Sequence, residues 1–347
     1  MKESVLHFHG PVLGIETSCD ETSAAVLIDG RVASNVVNSQ TDLHMKWGGI
    51  VPEAAARKHI ENMLPVIEEA LMRANLSLAE VAAVAVTNRP GLVGALSVGL
   101  TCAKGIAWAN GLPLIGIHHL EAHALSPMMG GEIGPPYVCL LASGGHTELL
   151  YVRGVGEYSV LGRTLDDAAG EAFDKAARSL GLGSPGGPAI QAAAESGNAA
   201  RYSLPRGLSE PTLDFSFSGL KTAVARTAAS VESDADVNDL AASFQETICS
   251  VLAERTLLAC DVVGSNAVSV AGGVAANISL RSKIKSGAEK KQLMLSIPPI
   301  ELCTDNAAMI AFVGSIRLAR GERSELDLDC VADSPLPGEV SYEPAFE

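Results

Sequence analysis

The chain carries one strand–turn–strand pattern twice, and this repeat constrains the possible folds more than any other feature. Residues 12–28, VLGIETSCDETSAAVLI, and residues 138–152, VCLLASGGHTELLYV, each place a small polar turn and a threonine between two apolar strands. Each segment predicts a β-hairpin, and the two are separated by roughly the length of one domain. We therefore expect an α/β protein made of two related lobes, each of which opens with a hairpin.

Helices and strands alternate around the two hairpins. Apolar periodicity predicts three helices, at 53–74, 239–261 and 305–319. It also predicts three short buried strands, at 81–87, 113–117 and 267–271. Pro65 lies inside the first of these helices, where its missing N–H predicts a kink or a break. Alternation of this kind is typical of a mostly parallel sheet in each lobe.

Composition bounds the class of protein. The 347 residues are 47% hydrophobic but only 4% aromatic, so the chain can bury a large aliphatic core. It has no apolar run of the roughly 18 residues that span a bilayer, and its first ten residues are too polar for a secretory signal. The seven cysteines are scattered without a CxxC pair, which favours free thiols. We therefore expect a cytoplasmic protein that binds no membrane.

The net charge of −15 opposes binding to nucleic acid unless basic residues are gathered in one place. Residues 281–291, RSKIKSGAEKK, hold five basic side chains against one acid, whereas residues 321–347 hold eight acids against one arginine. The basic run is typical either of a solvated helix face or of a local contact with an anion, and the sequence leaves both open.

Two histidines in the segment IHHLEAHAL are candidates for a metal site. His119 and His123 are four residues apart where a helix is expected, so their imidazoles would lie on one face and could share a divalent ion. Asp305, at the start of the last predicted helix, could cap that helix or complete a His2Asp site suited to Fe(II) or Zn(II). Glu121 follows His119 by two positions instead of one, so the HExxH pattern of metallopeptidases is absent.

Three glycine-containing turns are candidate binding loops. In LASGGHTEL (141–149) the turn would expose three consecutive backbone N–H groups at residues 143–145, an arrangement that holds anion oxygens. SVAGGVAAN (269–277) and SPGGP (184–188) are similar turns that could line the same cleft. None of them matches the P-loop or the dinucleotide-binding motif, and ordinary hairpin turns have similar sequences.

The segment DDAAGEAFDKAA (166–177) gathers four acidic residues around a predicted helix start. Such acids are most often solvated residues of a first turn, where the helix dipole favours negative charge. The functional alternative is a buried Asp174 that faces a hydroxyl group of a ligand. The segment alone is compatible with both interpretations.

Nine motifs, in order, make the chain similar to the bacterial TsaD/Gcp family. They are GIETSCDET (14–22), GGIVPEAAARKH (48–59), HHLEAH (118–123), ASGGHTEL (142–149), DDAAGEAFDK (166–175), PGGP (185–188), DFSFSGLKT (214–222), AGGVAAN (271–277) and CTDNAAMIA (303–311). The resemblance runs from about residue 12 to residue 315. Members of this family are tRNA N6-adenosine threonylcarbamoyltransferases.

The resemblance implies the actin/Hsp70/sugar-kinase (ASKHA) fold, in which two duplicated lobes surround a central nucleotide cleft. The N-terminal lobe would span residues 1–130 and be completed by a C-terminal helix at 305–325. The second lobe would span 131–304, and residues 326–347 would form an acidic tail. The paired hairpins agree with this duplication.

The reaction implied by the resemblance moves a threonylcarbamoyl group from threonylcarbamoyl-AMP to N6 of adenosine 37, in tRNAs that read codons beginning with A, and releases AMP. The resemblance assigns one divalent metal ion, Fe(II) or Zn(II), to His119, His123 and Asp305. It assigns catalysis to Ser143 and Asp174. The implied substrate contacts are Leu141, Ala142, Ser143, Gly144, Gly145, Asp174, Gly187 and Asn277.

The resemblance also implies protein partners and shows one departure. The partners would be a smaller paralogue of the same fold (TsaB-like) and a P-loop ATPase (TsaE-like). The helix at 53–74 would receive the paralogue. Apart from the resemblance, the basic run at 281–291 suggests a local contact with tRNA phosphates. The family usually has a glycine where this chain has Arg89, in the loop TNRPGL, and arginine reaches positive φ less easily.

Three other functions stay open on sequence alone. They are a small-molecule phosphotransferase of the same fold, a metallopeptidase suggested by the HxxxH spacing, and a non-catalytic nucleotide-binding scaffold. A phosphotransferase would not need the histidines, so it would keep its activity when His119 is replaced. The position of Glu121 argues against the peptidase.

Overall fold

Two units, each assembled from separate segments of the chain, make up the structure. The structure is a computed structural model that describes residues 6–45, 47, 49–209 and 212–342. Unit 1 contains the chain up to Met129 together with Thr304–Pro337, and unit 2 contains Gly130–Cys303 together with the residues from Gly338 onward. The last helix of the chain therefore belongs to the same unit as the N-terminal hairpin.

The strands agree closely with the sequence pattern. Within the described residues they are β1 (Pro11–Glu16), β2 (Glu21–Ile28), β3 (Arg31–Ser39), β4 (Ala83–Arg89), β5 (Leu114–His118), β6 (Tyr137–Ala142), β7 (Thr147–Gly154), β8 (Glu157–Arg163), β9 (Ala267–Ala271), β10 (Met294–Ser296) and β11 (Glu339–Ser341). Both predicted hairpins form, as β1–β2 and β6–β7. The three short buried strands correspond to β4, β5 and β9.

The helices include the three that the periodicity predicts, which are α2, α8 and α10. In the described part of the chain the α-helices are α1 (Thr41–Met45), α2 (Pro52–Arg73), α3 (Val93–Asn110), α4 (His119–Leu125), α5 (Ala169–Ser179), α6 (Gly186–Ala194), α7 (Ser218–Ala228), α8 (Asp234–Val263), α9 (Ile278–Lys291) and α10 (Ala307–Ala319). Short 3-10 helices occupy Leu78–Glu80, Ser126–Gly130, Gly273–Ala276 and Ile300–Leu302.

The sheet of unit 1 has the strand order β3-β2-β1-β4-β5. Strands β1, β2 and β3 are antiparallel neighbours, whereas β4 is parallel to β1 and β5 is parallel to β4. The prediction of a mostly parallel sheet is therefore wrong, because the short turns joining β1, β2 and β3 can connect only antiparallel strands. Since β1, β4 and β5 run in the same direction, their carboxyl ends meet at one edge of the sheet.

The sheet of unit 2 has the order β10-β9-β6-β7-β8-β11. Strands β6, β7 and β8 are antiparallel neighbours, while β9 is parallel to β6 and β10 is parallel to β9. Strands β6 to β10 therefore repeat the order and direction of β1 to β5. This repeat confirms the duplicated α/β fold that the paired hairpins predict.

Helices cover both faces of β1 in unit 1. Leu13 and Ile15 are fully buried in a cluster with Ile67 of α2 and with residues of α3. Gly14 faces the other way, and a Cβ there would come within 2.4 Å of the Ala307 carbonyl oxygen of α10. Only glycine lets α10 pack this close to the strand.

Helix α2 continues through Pro65, so of the two predicted effects of this proline the break is wrong. Pro65 is exposed, and water can therefore hydrate the carbonyl that loses its N–H partner. The apolar positions of the helix fall into two groups. Ile67 is buried, whereas Ile60 and Leu64 are 66% and 62% exposed. The outer side of α2 consequently presents apolar side chains to solvent.

The C-terminal segment follows unit 1 and then joins the sheet of unit 2. Ser324 N–H donates to the Leu114 carbonyl at 2.8 Å, and Val331 N–H donates to the Asn88 carbonyl at 3.0 Å. Strand β11 then pairs with β8. Arg89, the departure from the family pattern, is the last residue of β4 and pairs with His118 of β5 after a shift of register between Thr87 and Arg89.

Three expectations from composition concern the thiols, membrane-spanning helices and the core. The seven cysteines are free, as their scattered positions predict. In the part of the chain that the structure describes, no helix has both the length and the apolar character needed to cross a membrane. The core is aliphatic and rich in valine, leucine and alanine, as expected for a chain with few aromatic residues.

Candidate metal centre and substrate loops

His119 and His123 lie on α4, a short helix that begins directly after β5. Both side chains are buried, and their rings meet edge to face with centroids 4.7 Å apart. Helix α4 starts at the sheet edge where β1, β4 and β5 end, so the last residue of β1, Glu16, reaches His119. Asp305, just before α10, reaches both histidines.

The three candidate ligands approach one another as metal ligands do. Asp305 Oδ1 is 2.9 Å from His123 Nε2 and 3.4 Å from His119 Nε2. All three potential ligand atoms lie within 4.8 Å of one another, and no other such group occurs among the described residues. Bonds of about 2.0–2.1 Å in a tetrahedral site place ligand atoms about 3.3 Å apart, so little rearrangement is needed to admit an ion.

Glu16 orients the imidazole of His119. His119 Nδ1 donates to Glu16 Oε2 at 2.9 Å, which leaves Nε2 directed at Asp305. The Thr87 hydroxyl donates to the same Glu16 oxygen at 2.6 Å, and the Ser18 N–H donates to Oε1. A carboxylate behind a metal-binding imidazole fixes its tautomer and increases its basicity.

The cluster holds more carboxylates than cations. Burial opposes ionisation of Asp305, but the adjacent His119 and hydrogen bonds from both histidines keep the pKa of Asp305 well below its usual value. Burial also opposes protonation of His119, yet Asp305 and Glu16 raise its pKa well above the usual value. The pKa of Glu21 is raised by burial and then by Asp305 and Asp20. A bound cation would relieve this excess of negative charge.

These residues fit the divalent ion that the family implies. Two imidazole nitrogens and one carboxylate oxygen suit either Fe(II) or Zn(II), and three protein ligands leave coordination positions open. His123 Nδ1 is buried and has no hydrogen-bond partner among the described residues. His123 therefore has no carboxylate behind its Nδ1, whereas Glu16 holds His119 Nδ1.

Two polar residues adjacent to the histidines, Glu121 and His118, have partners outside the metal cluster. Glu121 is completely buried and forms an ion pair with Arg317 of α10 at 2.6 Å. His118 Nε2 donates to the Ser334 carbonyl at 3.1 Å. Glu121 is therefore not placed as a general base beside the histidines, which supports the argument against a peptidase.

Asn306 caps α10, so the alternative in which Asp305 caps this helix is wrong. Asn306 Oδ1 accepts the Met309 N–H at 3.2 Å. Asp305, one residue earlier, is thereby left to contact the histidines. Aspartate and asparagine are about equally good caps, so sequence alone could not choose between these two neighbours.

The loop between β6 and β7 closes on itself in unit 2. Ser143 N–H donates to the His146 carbonyl at 2.8 Å, and His146 N–H donates to Ser143 Oγ at 3.2 Å. The prediction of three free amides is therefore wrong at Ser143. Gly144 and Gly145 are exposed and their N–H groups have no partner in the described residues, so two amides can receive an anion.

Two glycines let neighbouring elements approach this loop. Leu141 and Ala142 are buried at the end of β6. Gly272, after β9, has a φ of 88°, and a Cβ there would lie 2.4 Å from the Ala142 carbonyl oxygen. Gly170, in the first turn of α5, donates its N–H to the Ser143 carbonyl at 3.1 Å. The turn after β9 and the start of α5 therefore both lie against the loop.

The remaining predicted contacts lie on nearby helices. Asp174 is exposed on α5, so the alternative in which it is buried is wrong, and its Oδ1 accepts the Gly186 N–H at 2.8 Å. This bond ties α5 to the start of α6, which also contains Gly187. Asn277 is buried, caps α9 through an N–H of its first turn at 3.1 Å, and donates to Gln245 Oε1 at 2.8 Å.

Asp166 and Asp167 anchor α7 and are not simply solvated acids. Asp166 accepts N–H groups at the start of α7 at 2.7 and 3.2 Å and the Ser218 hydroxyl at 2.8 Å. Asp167 forms ion pairs of 2.7 and 2.8 Å with Lys175 and Lys221. Sequence reasoning missed this role, and it also missed Glu16. For Glu16 the available signal was a carboxylate at the end of an otherwise apolar strand.

The basic run at 281–291 is mostly neutralised within the chain. Arg281 donates to two backbone carbonyls at 2.6 Å, and Lys283 and Lys291 form ion pairs with acids of α8. Lys285 and Lys290 are exposed and have no ion pair among the residues described. Little of this run is therefore available to an external anion.

Known proteins with similar sequences include tRNA N6-adenosine threonylcarbamoyltransferases. A family model described as TsaD, tRNA N6-adenosine threonylcarbamoyltransferase, matches residues 31–312. A tRNA N6-adenosine threonylcarbamoyltransferase of Symbiobacterium thermophilum is 52% identical over 327 residues, which cover 93% of this chain and 96% of that protein. One of Clostridium botulinum (strain 657) is 48% identical over 342 residues, covering 97% and 99%.

Solved structures with low sequence identity support the fold alone. HypF of T. kodakarensis matches with a TM-score of 0.62 at 14% identity, covering 90% of this chain and 48% of HypF. Component A of the (R)-2-hydroxyglutaryl-CoA dehydratase of Acidaminococcus fermentans matches with a TM-score of 0.53 at 16% identity, covering 89% and 99%. Both are ASKHA proteins, so this fold class is confirmed. From the family model and the close relatives together, the chain belongs to the TsaD family of tRNA N6-adenosine threonylcarbamoyltransferases.

Proposed function

We propose that the chain transfers a threonylcarbamoyl group from threonylcarbamoyl-AMP to N6 of adenosine 37 in tRNAs that read ANN codons, releasing AMP. The observation that carries the proposal is the cluster of the buried His119 and His123 with the half-buried Asp305. A phosphotransferase of the same fold would have no need of it. Because the donor is a mixed anhydride and already activated, the reaction needs no covalent nucleophile from the protein.

His119, His123 and Asp305 would hold one divalent ion, Fe(II) or Zn(II). When bound, the ion supplies Lewis-acid polarisation of a carbamoyl or phosphate oxygen. Glu16 keeps the proton of His119 on Nδ1, so that Nε2 is left as the ligand atom. Burial of these side chains strengthens their electrostatic interactions and restricts their movement.

Unit 2 would bind the adenylate. The exposed N–H groups of Gly144 and Gly145 would donate to a phosphate or carbonyl oxygen that gains charge during transfer. We assign Ser143 the task of holding this turn in shape, since its hydroxyl and N–H both bond His146. Asp174 would orient a ribose hydroxyl and so reduce the entropic part of the barrier.

The remaining predicted contact residues would position the adenylate or support the elements that bind it. Gly187, at the start of α6, would offer a backbone N–H close to Asp174. Asn277 would hold the first turn of α9 and the preceding Gly-rich turn, because its side chain bonds both α9 and α8. Leu141 and Ala142 would support the substrate loop from the buried end of β6.

We expect two protein partners, a smaller TsaB-like paralogue and a TsaE-like P-loop ATPase. The exposed apolar side chains of α2, Ile60 and Leu64, offer a surface for the paralogue, since exposed apolar patches commonly mark protein interfaces. A tRNA substrate and a requirement for these partners imply a cytoplasmic location.

The test is a direct assay of the product. Purified wild-type chain and His119→Ala are each given unmodified tRNA, threonylcarbamoyl-AMP and the partner proteins, and the digested nucleosides are analysed by mass spectrometry. We expect threonylcarbamoyladenosine from the wild type and a loss of at least about a hundredfold in His119→Ala. His9→Ala, which removes an imidazole that is 97% exposed, serves as the matched control and should retain full activity.

Three outcomes separate the alternatives. Product from both the wild type and His119→Ala would keep the reaction and overturn the role of the metal centre. No product from the wild type, with partners shown to support a known transferase, would overturn the reaction itself. Phosphoryl transfer to a small molecule that survives His119→Ala would establish the phosphotransferase instead.

A further inference from the structure

Helices α5 and α7 of unit 2 border an open groove of about 470 Å³ lined mainly by cations. Lys175 and Arg178 lie on α5, one helical turn apart, and Lys221 and Arg226 lie on α7. Two hydroxyl side chains, Ser179 and Thr222, complete most of the lining. Such a concentration of positive charge is unexpected in a chain with a net charge of −15.

The cations of the groove differ in how they are held. Lys175 and Lys221 are fixed at one end by Asp167, at 2.7 and 2.8 Å, and Lys175 also pairs with Glu171 at 2.7 Å. Arg178 and Arg226 lie further along and are exposed, and Arg226 has no ion pair among the described residues. The lysines are therefore positioned in advance and partly neutralised by two acids, while the exposed Arg226 can reach a molecule in solvent.

We propose that this groove binds backbone phosphates of the tRNA substrate; the proposal rests on the proposed function. Phosphate oxygens in nucleic-acid complexes are bound mainly by lysine, arginine and hydroxyl side chains, which are the groups that line the groove. A protein partner is less well matched, because interface cores are enriched in aromatic and other apolar residues and the only apolar lining residue is Ala225.

The position of the groove fits a substrate that reaches the candidate adenylate loop. Helix α5 begins against that loop, where Gly170 N–H donates to the Ser143 carbonyl at 3.1 Å. The same helix carries Asp174, next to Lys175, and its 11 residues span about 16 Å. An RNA whose adenosine reaches the Ser143 loop would therefore have phosphates of neighbouring nucleotides within reach of the groove.

A purely structural explanation makes a different prediction. Arg178 and Arg226 lie in the last turns of α5 and α7, where positive charge is favoured by the helix dipole. If this were their only role, replacing them would lower the stability of the fold and leave RNA binding unchanged. RNA binding and its dependence on salt therefore distinguish the two explanations.

The experiment compares two charge-matched double variants, Arg178→Gln with Arg226→Gln in the groove and, as the control, Arg31→Gln with Arg153→Gln, at two exposed arginines that have no ion pair among the described residues. Binding of fluorescent unmodified tRNA is measured for the full chain, alone and with its partner proteins, from about 50 to about 300 mM KCl. For the groove variant we expect Kd to rise about tenfold and the slope of log Kd against log salt to fall by about 1.4–1.8, since two phosphate contacts are lost. The variant with Arg31→Gln and Arg153→Gln should match the wild type.

Transfer kinetics and assembly complete the test. We expect the groove variant to raise KM for tRNA and to leave kcat at saturating tRNA and the affinity for the adenylate unchanged. An unchanged salt slope, or a wild type that binds no tRNA in either form, would overturn the proposal. Loss of partner assembly with normal tRNA affinity would also overturn it and would make the groove a protein interface. If the wild type binds tRNA but makes no product, the proposed function fails and the groove proposal stands.

Discussion

Glu16 and Asp305 hold the His119 ring between two carboxylates, whereas Asp305 is the one carboxylate bonded to the His123 ring among the described residues. The two imidazoles therefore depend on different supports. Because Nδ1 of His119 donates to Glu16, Nε2 is the nitrogen that would lose its proton and serve as the ligand atom when an ion binds. The affinity of the centre for metal should consequently depend on a residue that is not itself a ligand.

Replacing Glu16 by glutamine tests this dependence. Glutamine keeps the shape of the side chain and an oxygen that can accept from His119, but it removes the negative charge. We expect the affinity for Zn(II) or Co(II) to fall by about 10- to 100-fold, as measured by titration against a competing chelator. Glu61→Gln, at a side chain that is 66% exposed, is the control and should bind metal normally. Equal affinity in all three proteins would contradict a supporting role for Glu16.

Individual residues show where sequence reasoning reaches its limit. The spacing of His119 and His123 predicts a shared face, since it depends only on helix geometry. Glu16 and Asp305 come to these histidines from remote segments, and only the parallel alignment of β1, β4 and β5 brings Glu16 to α4. Resemblance to a family could supply Asp305, but neither spacing nor resemblance singled out Glu16.

The inner side of helix α2 is bonded to the turn that follows Glu16, close to the metal centre. His59, on its inner side, is fully buried; its Nδ1 accepts from the Thr22 hydroxyl at 2.8 Å and its Nε2 donates to the Cys19 carbonyl at 3.0 Å. Cys19 lies in the turn that follows Glu16. Both nitrogens of one neutral imidazole thus fix that turn to α2.

Stability should depend on pH through His59. Burial lowers its pKa, so the unfolded chain takes up a proton at a higher pH than the folded chain does. The stabilising effect of His59 is therefore complete above about pH 6.5 and declines as the pH falls below it. We expect His59→Gln to lower the free energy of unfolding by about 1–3 kcal/mol at neutral pH, with a smaller difference from wild type near about pH 5.

Urea unfolding of wild type and His59→Gln at a series of pH values measures this difference. Subtracting the two curves cancels the titration of the other histidines that both proteins share. His9→Gln changes an exposed imidazole and should show no such trend. A difference that stays constant or grows as the pH falls would contradict the prediction.

Pro65 gives a second prediction for α2. The proline removes one intrahelical hydrogen bond, although the helix continues through it. Because Pro65 is exposed, alanine can restore the bond without creating a cavity, and we expect Pro65→Ala to stabilise the fold by about 1–3 kcal/mol in urea unfolding. Leu64→Ala, at the exposed neighbouring position, should change stability by no more than about 0.5 kcal/mol. Destabilisation by Pro65→Ala would show that the helix needs a local distortion there.

At the scale of the whole chain, the duplication was the most predictable property. The hairpin pattern gave the positions of β1–β2 and β6–β7, since alternating apolar positions are a local signal. The direction of the sheets was predicted less well, because strands β3 and β8 extend each hairpin into an antiparallel meander. The paths of segments distant in sequence, such as residues 324–341, depend on tertiary contacts that no local pattern records.

The C-terminal segment, acidic in composition, is bonded along unit 1. Gly91 N–H donates to the Ala332 carbonyl at 3.1 Å, and the buried His118 donates to the Ser334 carbonyl at 3.1 Å. Leu336 is 3% exposed. These contacts provide hydrogen-bond partners for the Gly91 N–H in the loop after β4 and for His118 at the end of β5. His118 directly precedes His119 of the metal centre.

Removing residues 324–347 should therefore destabilise unit 1. We expect the free energy of unfolding to fall by at least about 3 kcal/mol, because several buried hydrogen bonds and the burial of Leu336 are lost. The double variant Asp327→Asn with Asp333→Asn keeps the backbone contacts while removing two exposed charges, so it should retain wild-type stability. Thermal and urea unfolding of the three proteins separates backbone contacts from charge. If the truncated chain were as stable as the wild type, or the double variant as unstable as the truncation, the segment would not act through these bonds.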